Sequence, residues 1–340
     1  MNTFQRAAHK SVIDRRAFCW IWIAVFTYLP LHAQITFTAS EMLTIIGNYS
    51  QEYISTNTNP SAMIGPSGGP QVWDFSQTLP GDYVRRLDIV PPTDGGYQAS
   101  FPSASYAERF TDGVSIFQEW DYYSLTTNAG RMYYGSYNTS SGVQVFSPVA
   151  TDIPAVVGYG SNWNYTSTST FPPFTFNETV TCSADAYGSV VLPQIGRVQA
   201  LRVNQLTAAQ ELLGSTPITT YYLREYFWLV PGIGKAVDII SSTSSTPPLA
   251  IFASADEVRR VFQVSCVSST WQRATNLQIQ LKTGQASLNW LSATNGSGYQ
   301  VQAVSTPTMT NWQIMAYPAS NSWSEALTAT QRFYRVFIQP

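Results

Sequence analysis

"IGPSGGPQVWDFSQ", residues 64–77, decides between two folds. Read as a glycine-rich ligand cradle, it would place a nucleotide-binding α/β domain near the head of the chain. A phosphate loop needs a strand before it, a helix after it and usually a Lys followed by Ser or Thr. Here "GPSGG" runs into Pro70, and "QVWDFS" then alternates apolar and polar residues as a half-buried strand does. Pro70 has no N–H to donate and suits the start of an edge strand, which leaves Trp73 as a core residue. The stretch is read as a turn into a strand, and the chain as all-β.

The same signal recurs outward from this point. It is found in "VRRLDIV" (84–90), "SIFQEWDYYSL" (115–125), "RMYYGSY" (131–137) and "FTFNETVTC" (174–182). It continues in "RVQALRVN" (197–204), "ITTYYLREYFWLV" (218–230), "KAVDII" (235–240) and "VRRVFQVSC" (258–266). These runs are rich in β-branched and aromatic residues and are separated by Gly, Pro, Asn, Asp and Ser clusters. That pattern predicts a large antiparallel β-sandwich or partial barrel over residues 34–268. Helix signals are confined to "TASEMLTIIG" (38–47), with capping-box spacing between Thr38 and Glu41, and "TAAQELLG" (207–214), with Thr207 and Gln210.

Residues 1–33 read as an export signal. Arg6, Lys10, Arg15 and Arg16 precede the apolar run "AFCWIWIAVFTYLPL", and Ala33 offers a small residue at the cut. The Arg15-Arg16 pair also resembles a twin-arginine signal. The apolar run is too short for a spanning helix, so no transmembrane segment is expected in the mature chain. The expected location is extracellular, on the cell surface or periplasmic.

Both histidines, His9 and His32, fall in the removed segment. The mature chain thus has no imidazole, which excludes Ser-His-Asp and Cys-His catalysis and histidine-based metal sites. From residue 34 onward there are 14 Lys and Arg against 19 Asp and Glu, a net charge of −5. Without a basic stripe, nucleic acid is not an expected partner. No cofactor and no metal are expected. Cys182 and Cys266 are expected to pair in an oxidising compartment, with two free buried thiols as the other possibility.

Residues 269–340 read as a separate module. "QASLNW", "SGYQVQA" and "FYRV" resemble a shortened fibronectin type III or immunoglobulin-like domain, with Trp290 and Tyr299 at the centre. "GPSGGPQVWDFSQ" and "YFWLVPGIGKAVDII" resemble stretches in uncharacterised exported β-sandwich proteins of Gram-negative bacteria. That resemblance implies a surface or secreted location and a structural or adhesive role. It carries over no catalytic residue.

Glu119 and Asp121 lie at i and i+2, so on a strand both carboxylates leave one face about 6.5–7 Å apart. That spacing is near the one used by inverting glycosidases. The competing reading is a solvent-facing strand with Arg131 paired to Asp121. Glu225 sits between Leu223 and Phe227 on one strand face, where burial would raise its pKa and make it a general-acid candidate; the competing reading is an acid near a strand edge or paired with an arginine such as Arg202. On the other face Arg224 lies between Tyr222 and Tyr226, a cation–π ladder or a ligand platform. "GYGSNWNYTSTS" (158–169) joins Trp163 and Tyr165 to small polar residues, as glycan-binding loops do. These features lead to an expected non-catalytic, structural or adhesive protein that meets polysaccharide or another envelope component through aromatic side chains. The alternative is a carboxylate-based glycan hydrolase or lyase using Glu119, Asp121 or Glu225.

Overall fold

The computed structural model describes residues 35–112, 118–265, 272–274, 276–282, 284–291, 298–305, 313–318, 320–326 and 332–339. The export-signal segment and Cys266 lie outside these residues. Almost every element is a strand: β1 (Thr36–Thr38), β2 (Tyr49–Thr58), β3 (Gly68–Asp74), β4 (Tyr83–Val90), β5 (Tyr106–Asp112), β6 (Gln118–Thr126), β7 (Gly130–Asn138) and β8 (Gly142–Ile153). There follow β9 (Val156–Gly158), β10 (Asn162–Phe171), β11 (Phe174–Leu192), β12 (Gly196–Leu213), β13 (Thr216–Val230), β14 (Gly234–Ser241) and β15 (Ala255–Val264). The C-terminal strands are β16 (Gln272–Arg273), β17 (Gln278–Lys282), β18 (Gln285–Asn289), β19 (Gly298–Val304), β20 (Gln313–Ala316), β21 (Ser322–Ala326) and β22 (Phe333–Gln339). Among the described residues no helix is long and apolar enough to cross a membrane.

Twelve strands close into one antiparallel barrel, in the circular order β2-β4-β5-β6-β7-β8-β10-β11-β12-β13-β14-β15. This corrects the expected sandwich or partial barrel. Two seams make the closure: β15 returns to pair with β2, and β10 pairs with β11 along its whole length, from Asn162↔Ser183 to Phe171↔Phe174. Closure removes the unpaired N–H and C=O rows that a partial barrel would present at its edges. The stretch 207–213 is β12 backbone rather than a helix, because β11 and β13 hydrogen-bond it on both sides and override its helical propensity. The capping box of Thr38 and Glu41 is present, but it closes only the 3₁₀ turn Ala39–Glu41.

The opening stretch behaves as its pattern implied. A single helical turn, α1 (Ser61–Ile64), precedes β3, which lies parallel against β11 beyond the end of β10 and among the described residues pairs with no other strand. Trp73 is buried, its indole N–H donates to Ile64 O at 3.0 Å, and its ring meets Trp228 edge-on at 5.7 Å. Around this pair a cluster that includes Phe75, Val190, Tyr226, Val237 and Phe252 covers the outer wall of β11 to β15. Each large side chain so buried contributes about 1.5–3 kcal/mol. A second outer cluster, with Val90, Phe101, Trp120 and Tyr122, lies where the segment between β4 and β5 folds over β6. There the Trp120 indole N–H donates to Asp94 Oδ2 at 2.9 Å. The outer face of β10 and β11 is polar instead, with Asn164, Thr166, Asn177, Thr179 and Thr181 exposed.

Residues 272–339 form two small sheets, β16-β22-β19-β20 and β17-β18-β21. They share one core of Ala286, Leu288, Trp290, Tyr299, Val301 and Val336. Trp290 and Tyr299 meet edge-on at 5.2 Å. Tyr317 packs against the outer cluster of the barrel, so the barrel and the C-terminal sheets belong to one compact unit, each with its own hydrophobic clusters.

Candidate functional site

Residues directly opposite each other in neighbouring strands share a sheet face, so the register assigns each side chain to the lumen or the outer wall. Trp163, Cys182, Gln205, Glu225, Ile240 and Glu257 form one such row across β10, β11, β12, β13, β14 and β15. On the opposite arc Glu108, Asp121, Ser136 and Gln144 form another, and Phe110 pairs with Glu119 one step along. These rows face the barrel interior, which encloses a cavity of about 270 Å³. Six carboxylates line it (Glu52, Glu108, Asp121, Asp152, Glu225 and Asp238), against three cations, Arg131, Lys235 and Arg259. Tyr123, Tyr133, Tyr165 and Phe110 supply aromatic surface between them.

One end of the lumen is filled by the N-terminal segment. β1 pairs with β9, Phe37 and Met42 pack against Val157, Leu201, Phe227 and Leu229, and Leu43 reaches Ile89, Tyr106 and Tyr123. The plug is tied down by Gly232 N–H donating to Glu41 O at 2.8 Å and Ala39 N–H donating to Ala155 O at 3.0 Å.

The charged groups are joined in two chains of ion pairs. Arg131 bridges Glu108 at 2.6 Å and Asp152 at 2.5 Å; Lys235 bridges Asp152 at 3.3 Å and Glu225 at 3.4 Å. Gln205 extends this chain, donating to Glu225 Oε2 at 2.9 Å and accepting from the Cys182 thiol at 3.4 Å. In the second chain Arg259 meets Asp238 at 3.5 Å and also pairs with Glu257, and Arg85 joins Glu257 at 3.3 Å to Glu52 at 2.8 Å. One carboxyl and one further carboxyl oxygen are left out of these ion pairs. Among the described residues Asp121 has only the hydroxyls of Tyr133, at 3.2 Å, and Tyr123, at 3.4 Å. Asp238 is 4% exposed, and its Oδ1 has no hydrogen-bonding partner among the described residues.

The electrostatics follow from this pairing. Burial pushes the Asp121 carboxyl up to about 8, and the charges of Glu119 and Glu108 add to the rise. Burial, with Glu225 nearby, also raises Asp238 well above the usual carboxylate range. Glu108 and Glu119 are raised by burial as well. Asp152 goes the other way: burial opposes its charge, but Arg131 and Lys235 outweigh burial and lower its pKa. Lys235 loses solvation too, yet Asp152 and Glu225 hold it charged. The lumen at neutral pH is therefore a set of fixed ion pairs beside the Asp121 carboxyl, which is poised to give up a proton. Among the described residues no three His, Cys, Asp or Glu side chains are arranged to hold a metal ion.

The structure brings Glu119, Asp121, Glu225, Trp163 and Tyr165 to one interior, although the sequence presented them as separate candidates. Glu119 and Asp121 share a face, but that face is the lumen and not solvent. Arg131 stands opposite Leu125 and pairs with Glu108 and Asp152, so the expected Asp121–Arg131 pair is replaced. Glu225 is paired with Lys235 and Gln205, whereas Arg202 lies on the outer face, where it binds Asp185 at 2.9 Å. The stretch 162–171 is wall strand rather than loop. Tyr165 lines the cavity, and Trp163 packs toward the core with its indole nitrogen unpartnered among the described residues.

Tyr222, Arg224 and Tyr226 do not form an open platform. The segment after β14 crosses them: Tyr222 bridges to Ser244, Arg224 Nε donates to Pro248 O at 3.0 Å, and the Tyr226 hydroxyl donates to Ala250 O at 2.8 Å. Cys182 is a free buried thiol, and its expected disulfide partner Cys266 lies outside the described residues. The sequence reading missed Asp152, Lys235, Asp238 and Arg259, and gave Arg131 a different partner. Arg131 shares a strand face with Tyr133, and Asp238 with Ile240, a pattern that only the register makes legible.

No protein-family model matches the chain, and neither a curated protein nor a solved structure matches it.

Proposed function

We propose that this chain is an exported, non-catalytic binding protein that holds a small polar ligand inside its barrel. The observation that carries this reading is the acid-rich cavity within a closed wall. Buried ion pairs often stabilise no better than apolar side chains of the same volume, so stability alone does not call for such an interior. A cavity of about 270 Å³ lies just below the range of drug-sized sites, which favours a compact molecule over a polymer. A polysaccharide lying on the outer wall would not reach Tyr165. The basic and apolar pattern of residues 1–33 supports export, and the polar outer face of β10 and β11 supports a barrel surrounded by water. The C-terminal sheets, with their Trp290–Tyr299 centre, act in this reading as a fibronectin type III-like or immunoglobulin-like spacer or attachment element.

The test is ligand-observed NMR of the purified chain against a library of small polar molecules, repeated on the cavity-filling variant Ser50→Phe. Binders that are lost in S50F support the reading. A folded chain that binds nothing, or binders indifferent to S50F, overturn it.

A second reading, a carboxylate-based glycan hydrolase, draws on the protonated Asp121 beside Glu119, an arrangement able to offer a general acid. Released product that disappears in both Asp121→Asn and Glu225→Gln would favour it over binding alone.

A further inference from the structure

We propose that the ligand of the lumen is a small aliphatic amine, bound as a cation between Asp121 and Asp238. This inference rests on the lumen-binding reading and names its ligand class. Six carboxyl groups and three cations line the cavity, and Arg85 pairs with one of the six, Glu52, from beside it, so a bound cation would be balanced by the Asp121 and Asp238 carboxyls giving up protons. Arg131 and Lys235 are committed to Glu108, Asp152 and Glu225, and Arg259 is shared between Asp238 Oδ2 and Glu257. What remains, among the described residues, is Asp238 Oδ1, buried and without a donor, and the Asp121 carboxyl, held only by tyrosine hydroxyls. A buried oxygen left unpaired is costly, and an ammonium N–H is a donor that would satisfy it.

The aromatic lining favours an organic cation over an inorganic one. The barrel interior already places cations on rings, with the Arg131 guanidinium 4.2 Å from the Tyr123 centroid and Lys235 Nζ 4.3 Å from that of Phe227. Tyr133, Tyr165 and Phe110 offer further faces to a second ammonium or its methylene chain. The three-carboxylate geometry of a metal site is not found among the described residues.

Proton linkage gives the site a distinctive pH response. Facing Asp121 are Glu108 on β5, Glu119 and Tyr123 on β6, and Arg131 and Tyr133 on β7. With its carboxyl protonated below about pH 8, a bound cation must displace that proton. Affinity should therefore rise with pH up to that point, by as much as about tenfold per pH unit for one proton released.

The experiment is calorimetric titration of the purified chain with 1,4-diaminobutane and, as the uncharged counterpart, 1,4-butanediol, at pH 6, 7 and 8. The expected result is saturable one-to-one diamine binding that strengthens from pH 6 to pH 8, with no saturable diol binding. D121N and D238N should each weaken the diamine by about tenfold or more. Diol binding equal to diamine binding, diamine affinity flat across the pH range, or no diamine binding to the folded wild-type chain would each overturn the proposal without need of a variant. If an uncharged library molecule binds wild type but not S50F while the diamine fails, the amine assignment falls and the lumen reading stands. If nothing binds, both fall.

Discussion

Asp121→Asn should make the chain more stable, and increasingly so as pH rises. The wild-type carboxyl titrates near 3.8 when the chain is unfolded and at about 8 in the folded barrel. Below about pH 4 both states hold the proton and Asp121 has no pH-dependent effect on stability. Between the two values the unfolded chain ionises while the folded one does not, so the folded state loses ground by roughly 1.4 kcal/mol per pH unit. The whole span corresponds to on the order of 5 kcal/mol, all of it lost by about pH 8. An Asn side chain does not titrate, keeps an oxygen to accept from the Tyr133 hydroxyl, and closely matches the protonated acid in size. The difference in unfolding free energy, variant minus wild type, should climb by about 4 kcal/mol between pH 4 and pH 7. Urea denaturation followed by tryptophan fluorescence at pH 4, 5.5 and 7 measures it, provided the slopes of the two proteins agree. A difference that stays flat within about 1 kcal/mol would refute the burial of Asp121 in an acid-rich lumen.

Three further outcomes are expected. Arg131→Met leaves Glu108 and Asp152 without their shared partner in a site where Arg131 is 4% exposed, and should cost about 3–5 kcal/mol by urea denaturation. Gly135→Ala should lower the melting temperature by several degrees: Gly135 has φ 135°, and an added Cβ would fall well inside contact distance of Gln144 O across the β7–β8 seam. Cys182 should resist alkylation at pH 8 in the folded chain and react promptly in urea, because burial raises its pKa and its thiol is bonded to Gln205; rapid labelling without denaturant would contradict that placement.

The strands were legible in the sequence wherever a run alternated against β-branched and aromatic residues. The segments expected at 84–90, 131–137, 218–230 and 235–240 fall within β4, β7, β13 and β14. Four wall strands, β2, β5, β8 and β10, are not among the runs legible as strands. β2 and β10 are rich in Ser, Thr, Asn and Gln, and the aromatic-plus-polar composition of β10 reads as a glycan-binding loop, although its Trp163 and Tyr165 face the lumen. Closure was not legible, since it depends on which distant strands meet: β2 and β15 lie about 200 residues apart in the chain.

The candidate acids show the other limit. Glu119 and Asp121 alternate with Trp120 and Tyr122, and an ordinary reading sends the aromatics to the core and the acids to water. Here a loop carrying Asp94 and Phe101 covers the aromatics from outside, which leaves the acids facing inward. Periodicity identified the two faces correctly, but could not say which face was the interior.

Where the ligand sits is decided most directly by a crystal structure of the chain grown with the tightest-binding molecule of the polar library. Density inside the barrel, in hydrogen-bond reach of Asp121 and Asp238, is the expected result. Density confined to the outer wall, at Tyr222 and Arg224 or elsewhere, would contradict a lumen built for binding.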